Sequence, residues 1–161
     1  MRTLKIAGLL FSLSLISADV LAIPQGGQSS LYRVQKLYIE NMGTQPEAVR
    51  FGMLLEDKLL EKGFTVVDKP ENADAILSGA VSVTPVGIYR GINDFGVTVQ
   101  LKSQTGERLW SGNFAGRIII LNPVASIKFR DVIEYRATEL ARKLRNDREK
   151  SAKAAGVKIG G

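Results

Sequence analysis

The chain has 161 residues, enough for one domain with a hydrophobic core but too few for two of ordinary size. Its hydrophobic and charged fractions, 45% and 24%, are typical of folded proteins. The net charge of +6 suits an anionic partner. Cysteine and histidine are both absent, which excludes disulfides, thiol nucleophiles and zinc fingers and removes the commonest general base. We therefore expect a protein that is not an enzyme and carries no metal or cofactor.

The amino-terminal segment, residues 1–22, predicts a secretory signal peptide. Arg2 and Lys5 supply its positive start, an apolar run follows, and small residues lead to a cleavage point between Ala22 and Ile23. The apolar run is shorter than the roughly 20 residues that span a bilayer, so an uncleaved membrane anchor is disfavoured. We expect a mature protein without a transmembrane segment.

The predicted cleavage point also bears on where the protein works. A bacterial lipoprotein carries a lipid-bearing cysteine there, whereas this chain has Ala22 and Ile23. A chain without cysteine also suits an oxidising compartment. We therefore expect a periplasmic protein that is not a lipoprotein and does not bind nucleic acid.

Apolar spacing, turns and helix signals divide the rest of the chain. A Gly- and Ser-rich lead-in covers residues 23–32, a single domain covers 33–147, and a basic tail that we expect to fray covers 148–161. In chain order the predicted elements are a strand at 33–40, a helix at 47–62, strands at 64–67, 73–83, 97–103 and 108–116, and a helix at 126–150. The apolar run 117–125 stays unassigned, and 84–96 is either a long loop or a bent hairpin.

Both predicted helices carry one apolar stripe. In the first helix the stripe comprises Ala48, Gly52, Leu55 and Leu59, with Val49, Met53 and Leu60 beside it. In the second it comprises Ile133, Ala137, Leu140, Ala141 and Leu144. We therefore predict an α+β fold in which both helices pack on one face of a mixed, mostly antiparallel sheet of about five strands, in the order β-α-β-β-β-β-α. The crossover helix makes the first two strands parallel, and tight turns make the later strands antiparallel.

Gly79 lies in the middle of the more apolar face of the strand at 73–83. Two interpretations fit a glycine there. A helix lying across the sheet approaches the strand closely at this point, or the strand contains a bulge.

Three segments together resemble a known group of domains: LLEKGFTVVDKPENADAILSGAV, then VTVQLKSQTGERLWSG, then the carboxy-terminal amphipathic helix. The group is the small periplasmic, anticodon-binding-like α/β domain of the curli-secretion lipoprotein, of outer-membrane activators of penicillin-binding proteins, and of the amino terminus of TolB. The resemblance spans residues 33–146. It implies a scaffold or docking module in envelope assembly with no catalytic motif. The chain lacks the lipid-bearing cysteine, pore-type hairpins and propeller repeats of particular members. The resemblance therefore implies neither pore formation nor a TolB-like role.

The segment 87–96 holds the candidate partner-contact residues, which are Tyr89, Arg90, Asp94 and Phe95. Tyrosine and arginine are frequent at binding hot spots, and long loops often carry function. The alternative is that the aromatic rings pack beneath the loop as a small hydrophobic cluster.

Cations crowd the end of the second helix and the tail. Arg142, Lys143, Arg145 and Arg148 are a candidate contact with anionic lipid, and Lys150, Lys153 and Lys158 continue the series. The alternative needs no ligand, because cations at a helix carboxy terminus complement its dipole. The acidic residues Asp68, Glu71 and Asp74 lack the spacing of a calcium loop and are interpreted as a solvated turn.

The sequence therefore predicts an exported, non-enzymatic interaction module with a protein partner in the cell envelope, docking through a sheet edge or the segment 87–96. The alternative is a carrier or assembly factor associated with lipid or lipopolysaccharide, whose helices part from the sheet to hold an acyl chain. An apolar cavity of a few hundred Å³ beneath the helices would favour that alternative.

Overall fold

The computed structural model describes residues 30–85, 92–119 and 125–158. The elements are β1 (Lys36–Ile39), α1 (Pro46–Glu61), β2 (Thr65–Val66), β3 (Ala75–Pro85), β4 (Ile92–Ser103), β5 (Arg108–Ile119) and α2 (Ala125–Ala154), with short 3-10 turns at Leu31–Arg33 and Pro70–Asn72. The predicted signal peptide, its cleavage point and most of the lead-in lie outside the described residues.

The described part of the chain has no helix with the length and apolar character needed to cross a membrane.

One sheet contains all five strands, in the order β2-β1-β3-β4-β5. β1 pairs in parallel with both β2 and β3, whereas β3, β4 and β5 form antiparallel pairs. The predicted α+β class, element order and mixed sheet are confirmed. The central position of β1, between β2 and β3, was not predicted, because the sequence pattern does not state which strands become neighbours.

β3 and β4 form one long hairpin. Their register runs without a shift from Ala75 opposite Ser103 to Pro85 opposite Asn93. β4 therefore begins five residues before the predicted strand, and the hairpin interpretation of 84–96 is the one that the structure supports. β5 likewise continues to Ile119, into the run that the sequence left unassigned.

Both helices lie on the same face of the sheet, as predicted. The stripe of α2 is buried at every predicted position: Ile133, Ala137, Leu140, Ala141 and Leu144. It joins inward-facing side chains of the sheet and of α1 in one hydrophobic cluster. The buried side of α1 is formed by Ala48, Phe51, Leu55 and Leu59, whereas Val49, Met53 and Leu60 are 50%, 66% and 49% exposed. The buried stripe contains Phe51, where the sequence analysis predicted Gly52. Burial of a large aromatic ring contributes far more stability than burial of a glycine.

Each helix ends in the same type of glycine cap. Gly63 has φ of 81° and Gly156 has φ of 69°, a conformation that glycine adopts cheaply. The amide of Phe64 donates to the carbonyl of Leu59, and that of Val157 to Ala152, as in a Schellman motif. Within the predicted tail, α2 continues to Ala154 and then ends in this cap; fraying of the tail stays a prediction.

The bulge predicted as one interpretation of Gly79 is wrong, and the atoms nearest to a side chain at this position belong to β4. A β-carbon there would lie 2.5 Å from the carbonyl oxygen of Thr98 and 2.7 Å from Cγ1 of Val99. Both atoms belong to β4, so the neighbouring strand, and not a helix, excludes a side chain. The β3–β4 register also contains no bulge at this point.

Candidate interaction surface

Of the four predicted contact residues of segment 87–96, the structure describes only Asp94 and Phe95. Tyr89 and Arg90 lie outside the described residues. Phe95 lies in β4, is 1% exposed and packs against Phe51 with ring centroids 6.2 Å apart. Phe95 therefore belongs to the core and not to an exposed contact, because its position in β4 faces the helices. Asp94 is partly exposed on the same strand, and its role as a contact stays a prediction.

The cations of α2 divide into groups with different environments. Lys143 lies 3.2 Å from Asp147 and 5.3 Å from the centre of the Trp110 ring. The indole of Trp110 donates to the same carboxylate at 3.0 Å. Burial alone would raise the pKa of Asp147, but the hydrogen bonds from Trp110 and Lys143 outweigh it and hold that pKa below 3.8. These contacts join α2 to β5, so Lys143 stabilises the packing of the helix against the strand.

Arg145 and Arg148 face a different side of the helix. Arg145 forms an ion pair with Glu149 at 2.8 Å. Arg148 donates to the side-chain oxygen of Gln35 at 2.6 Å and lies 5.3 Å from the centre of the Phe64 ring. Burial, followed by the neighbouring Arg145, lowers the pKa of Arg148 from its ordinary value. Both cations line a groove beside the end of α2 that is described below, whereas Arg142 is exposed outside it.

The two edges of the sheet are unequal. β2, at one edge, has only two residues, whereas β5, at the other, has twelve. Among the strands that the structure describes, β5 pairs with β4 alone, so about half of its backbone N–H and C=O groups point away from the sheet. Natural proteins block such edges with lysine, proline, bulges or short strands. The segment SGNFA at 111–115 has none of these, and the irregularity in the β4–β5 register falls at Leu101/Lys102, near one end.

The sheet face opposite the helices is polar and open. Thr98 on β4 and Asn113 on β5 are exposed and directly opposite each other in the register. A shallow groove of about 770 Å³ runs over this face between Ser78, Gln100 and Ser111. An extended segment added to β5 would continue this surface.

The described residues contain no group of three or more acidic side chains placed to hold a metal ion. Asp74, considered above for a calcium loop, accepts hydrogen bonds from the backbone amides of Gln35 and Lys36 at 2.8 and 2.7 Å. Its carboxylate therefore joins the start of β1 to the start of β3. The described core contains no buried polar or charged side chain.

Comparisons with known proteins return structural likenesses only. No protein-family model matches the chain, and no curated protein matches it. The PelC dodecamer from Paraburkholderia phytofirmans is 23% identical, with 72% of this chain and 87% of that one covered and a TM-score of 0.49. A minor lipoprotein from Acinetobacter baumannii is 16% identical, with 72% of this chain and 96% of that one covered and a TM-score of 0.48. A lipoprotein from Neisseria meningitidis is 15% identical, with 63% of this chain and 97% of that one covered and a TM-score of 0.43. At these identities and scores the likenesses transfer no function, and the periplasmic domain family named from the sequence stays a prediction.

Proposed function

We propose that this protein is an exported, non-enzymatic interaction module of the cell envelope, and that it binds an extended segment of a partner protein along β5. The observation that carries the proposal is the long unpaired edge. A partner strand added there would form main-chain hydrogen bonds, and the exposed alternate side chains would set specificity. The predicted signal peptide supports the compartment, and the absence of histidine and cysteine supports a binding role over a catalytic one.

The rival interpretation as an acyl-chain carrier has no comparable support. Among the described residues, the space between the helices and the sheet is filled by one continuous cluster of buried side chains. Two cavities of about 770 and 710 Å³ lie elsewhere, on the open sheet face and beside the end of α2. A carrier would instead need room beneath the helices.

Site-specific photocrosslinking in cells tests the docking edge. A photoreactive residue at Ser111 should capture one defined envelope protein, and Asn113→Lys in the same chain should reduce that capture severalfold, because a lysine on an edge strand opposes strand addition. Thr98→Lys is the matched control: it places the same charge opposite position 113 on the inner strand and should leave capture unchanged.

Three outcomes would contradict the proposal. Capture from position 90 but not from 111 would move the contact to the segment 87–96. Equal loss with both lysine variants would indicate docking on the flat sheet face. Self-association of the purified protein that Asn113→Lys abolishes would make a second copy the occupant of the edge.

A further inference from the structure

A groove beside the carboxy-terminal end of α2 collects positive charge from two helices. It has a volume of about 710 Å³, within the range of small-molecule sites. The cationic side chains that line it are Lys62, Arg145, Arg148, Lys153 and Lys158. Lys62 follows α1, whereas the others belong to α2 and its cap, so the fold assembles a charge cluster from residues far apart in sequence.

The two glycine caps leave the groove open. Gly63 and Gly156 both line it, and a β-carbon added at either position would meet no atom within 4 Å. Ala152 and the partly exposed Val157 add a short apolar wall. Gln35 connects the two sides, because its amide donates to the carbonyl of Gly63 at 2.7 Å and its oxygen accepts from Arg148.

The positive charge exceeds what the helix ends need. Each helix carboxy terminus carries about half a negative charge, and Glu149 and Asp74 contribute one each near the groove. Against the five cations, roughly two positive charges remain uncompensated. Complementing the helix dipoles therefore explains only part of the cluster.

Arg148 is the central cation of the groove. It is partly buried between Gln35 and the Phe64 ring, and the ion pairs of the described residues include none to its guanidinium. Its Nε donates to the carbonyl of Tyr32 at 3.5 Å and its Nη2 to Gln35. A partly desolvated arginine without a carboxylate at contact distance favours an anion, and the remaining N–H groups of the guanidinium can donate to phosphate oxygens.

We propose that this groove binds a phosphate-bearing anion, with Arg148 and Lys153 contacting the phosphate and Val157 contacting the apolar remainder of the ligand. A phospholipid headgroup and a free phosphate ester share this chemistry. Arg142, which the sequence placed in the candidate lipid contact, lies outside the groove. The site is independent of the β5 edge.

Two binding measurements on the protein purified after export distinguish the sources. Glycerol 3-phosphate is titrated by NMR, and vesicles containing phosphatidylglycerol are compared with pure phosphatidylcholine vesicles by co-sedimentation. We expect shifts at the Gly63 and Gly156 amides with the ester, co-sedimentation with the anionic vesicles only, or both. Lys62→Gln combined with Lys153→Gln should weaken the measured binding by about tenfold or more.

Arg142→Gln is the matched control, because it removes one charge from the same helix outside the groove. It should change binding by about twofold or less, because Arg142 is exposed and does not line the groove. Binding of neither probe would overturn the proposal. Equal weakening by Arg142→Gln and by Lys153→Gln alone would also overturn it, because it would show diffuse attraction to a basic surface. Unfolding midpoints confirm that each variant is folded.

Discussion

The most specific test of the packing is the replacement of Gly79 by alanine. The added methyl carbon would lie 2.5 Å from the carbonyl oxygen of Thr98 and 3.2 Å from the α-carbon of Val99. Both are backbone atoms of β4, which is paired on both sides. Relief therefore requires β4 to shift within the sheet, since a rotation of one side chain is insufficient.

The expected cost follows from two opposing terms. Overpacking of this kind costs about 1–3 kcal/mol, while replacing a strand glycine with alanine recovers about 0.5–1 kcal/mol of backbone entropy. Because backbone atoms obstruct the methyl group, the overpacking cost lies in the upper half of its range, about 2–3 kcal/mol. Gly79→Ala should therefore destabilise the protein by about 1–2.5 kcal/mol. Gly52→Ala is the control, because Gly52 lies within α1 and an added β-carbon there meets nothing within 4 Å. It should stabilise the protein by about 0.5–1 kcal/mol.

Urea unfolding followed by tryptophan fluorescence measures both variants. The single tryptophan, Trp110, is 7% exposed and reports loss of the core directly. The free energies of unfolding of the two variants should differ by about 2 kcal/mol, with Gly79→Ala below the parent and Gly52→Ala above it. A Gly79→Ala protein as stable as the parent would refute the close β3–β4 approach.

Two further predictions concern the core and the α2–β5 contact. Leu140→Ala, at a fully buried position, should lower the free energy of unfolding by about 2–5 kcal/mol. Leu60→Ala, at a half-exposed position, should lower it by about 1 kcal/mol or less. Similar urea midpoints for the two variants would contradict the difference in burial. The lowered pKa of Asp147 contributes stability that is present above its unfolded value of 3.8 and is lost as the pH falls through the folded value. The difference in unfolding free energy between the parent and Asp147→Asn should therefore be constant above about pH 5 and narrow as the pH falls through and below 3.8. A difference independent of pH would exclude this role of the carboxylate.

The sequence predicts most of the fold because helical stripes and strand alternation report burial directly. The stripe of α2 is the clearest example, since every predicted member is fully buried. For α1 the predicted stripe included Gly52 and omitted Phe51. Several adjacent positions of this helix are apolar, so the spacing alone does not decide which of them are buried. The extent of the β3–β4 hairpin was also missed, because Asn93 and Asp94 resemble turn residues although they lie in β4.

The candidate sites were less predictable, because they depend on which distant segments meet. The unpaired edge of β5 follows from the strand order, which no local pattern contains. The anion groove joins Lys62 to Arg148 and Lys153 through two glycine caps. The sequence signals a helix stop at Gly63 but gives no indication that the second helix ends beside it. The only available signal was the surplus of cations near the carboxy terminus.

Hydrogen exchange along β4 and β5 in the purified protein tests the central claim most directly. β4 is paired on both sides over nearly its whole length, so its amides should be protected continuously. Protection in β5 should alternate from residue to residue, because every second amide points away from the sheet and has no partner strand. Continuous protection of β5 in the monomer would contradict an edge available for docking.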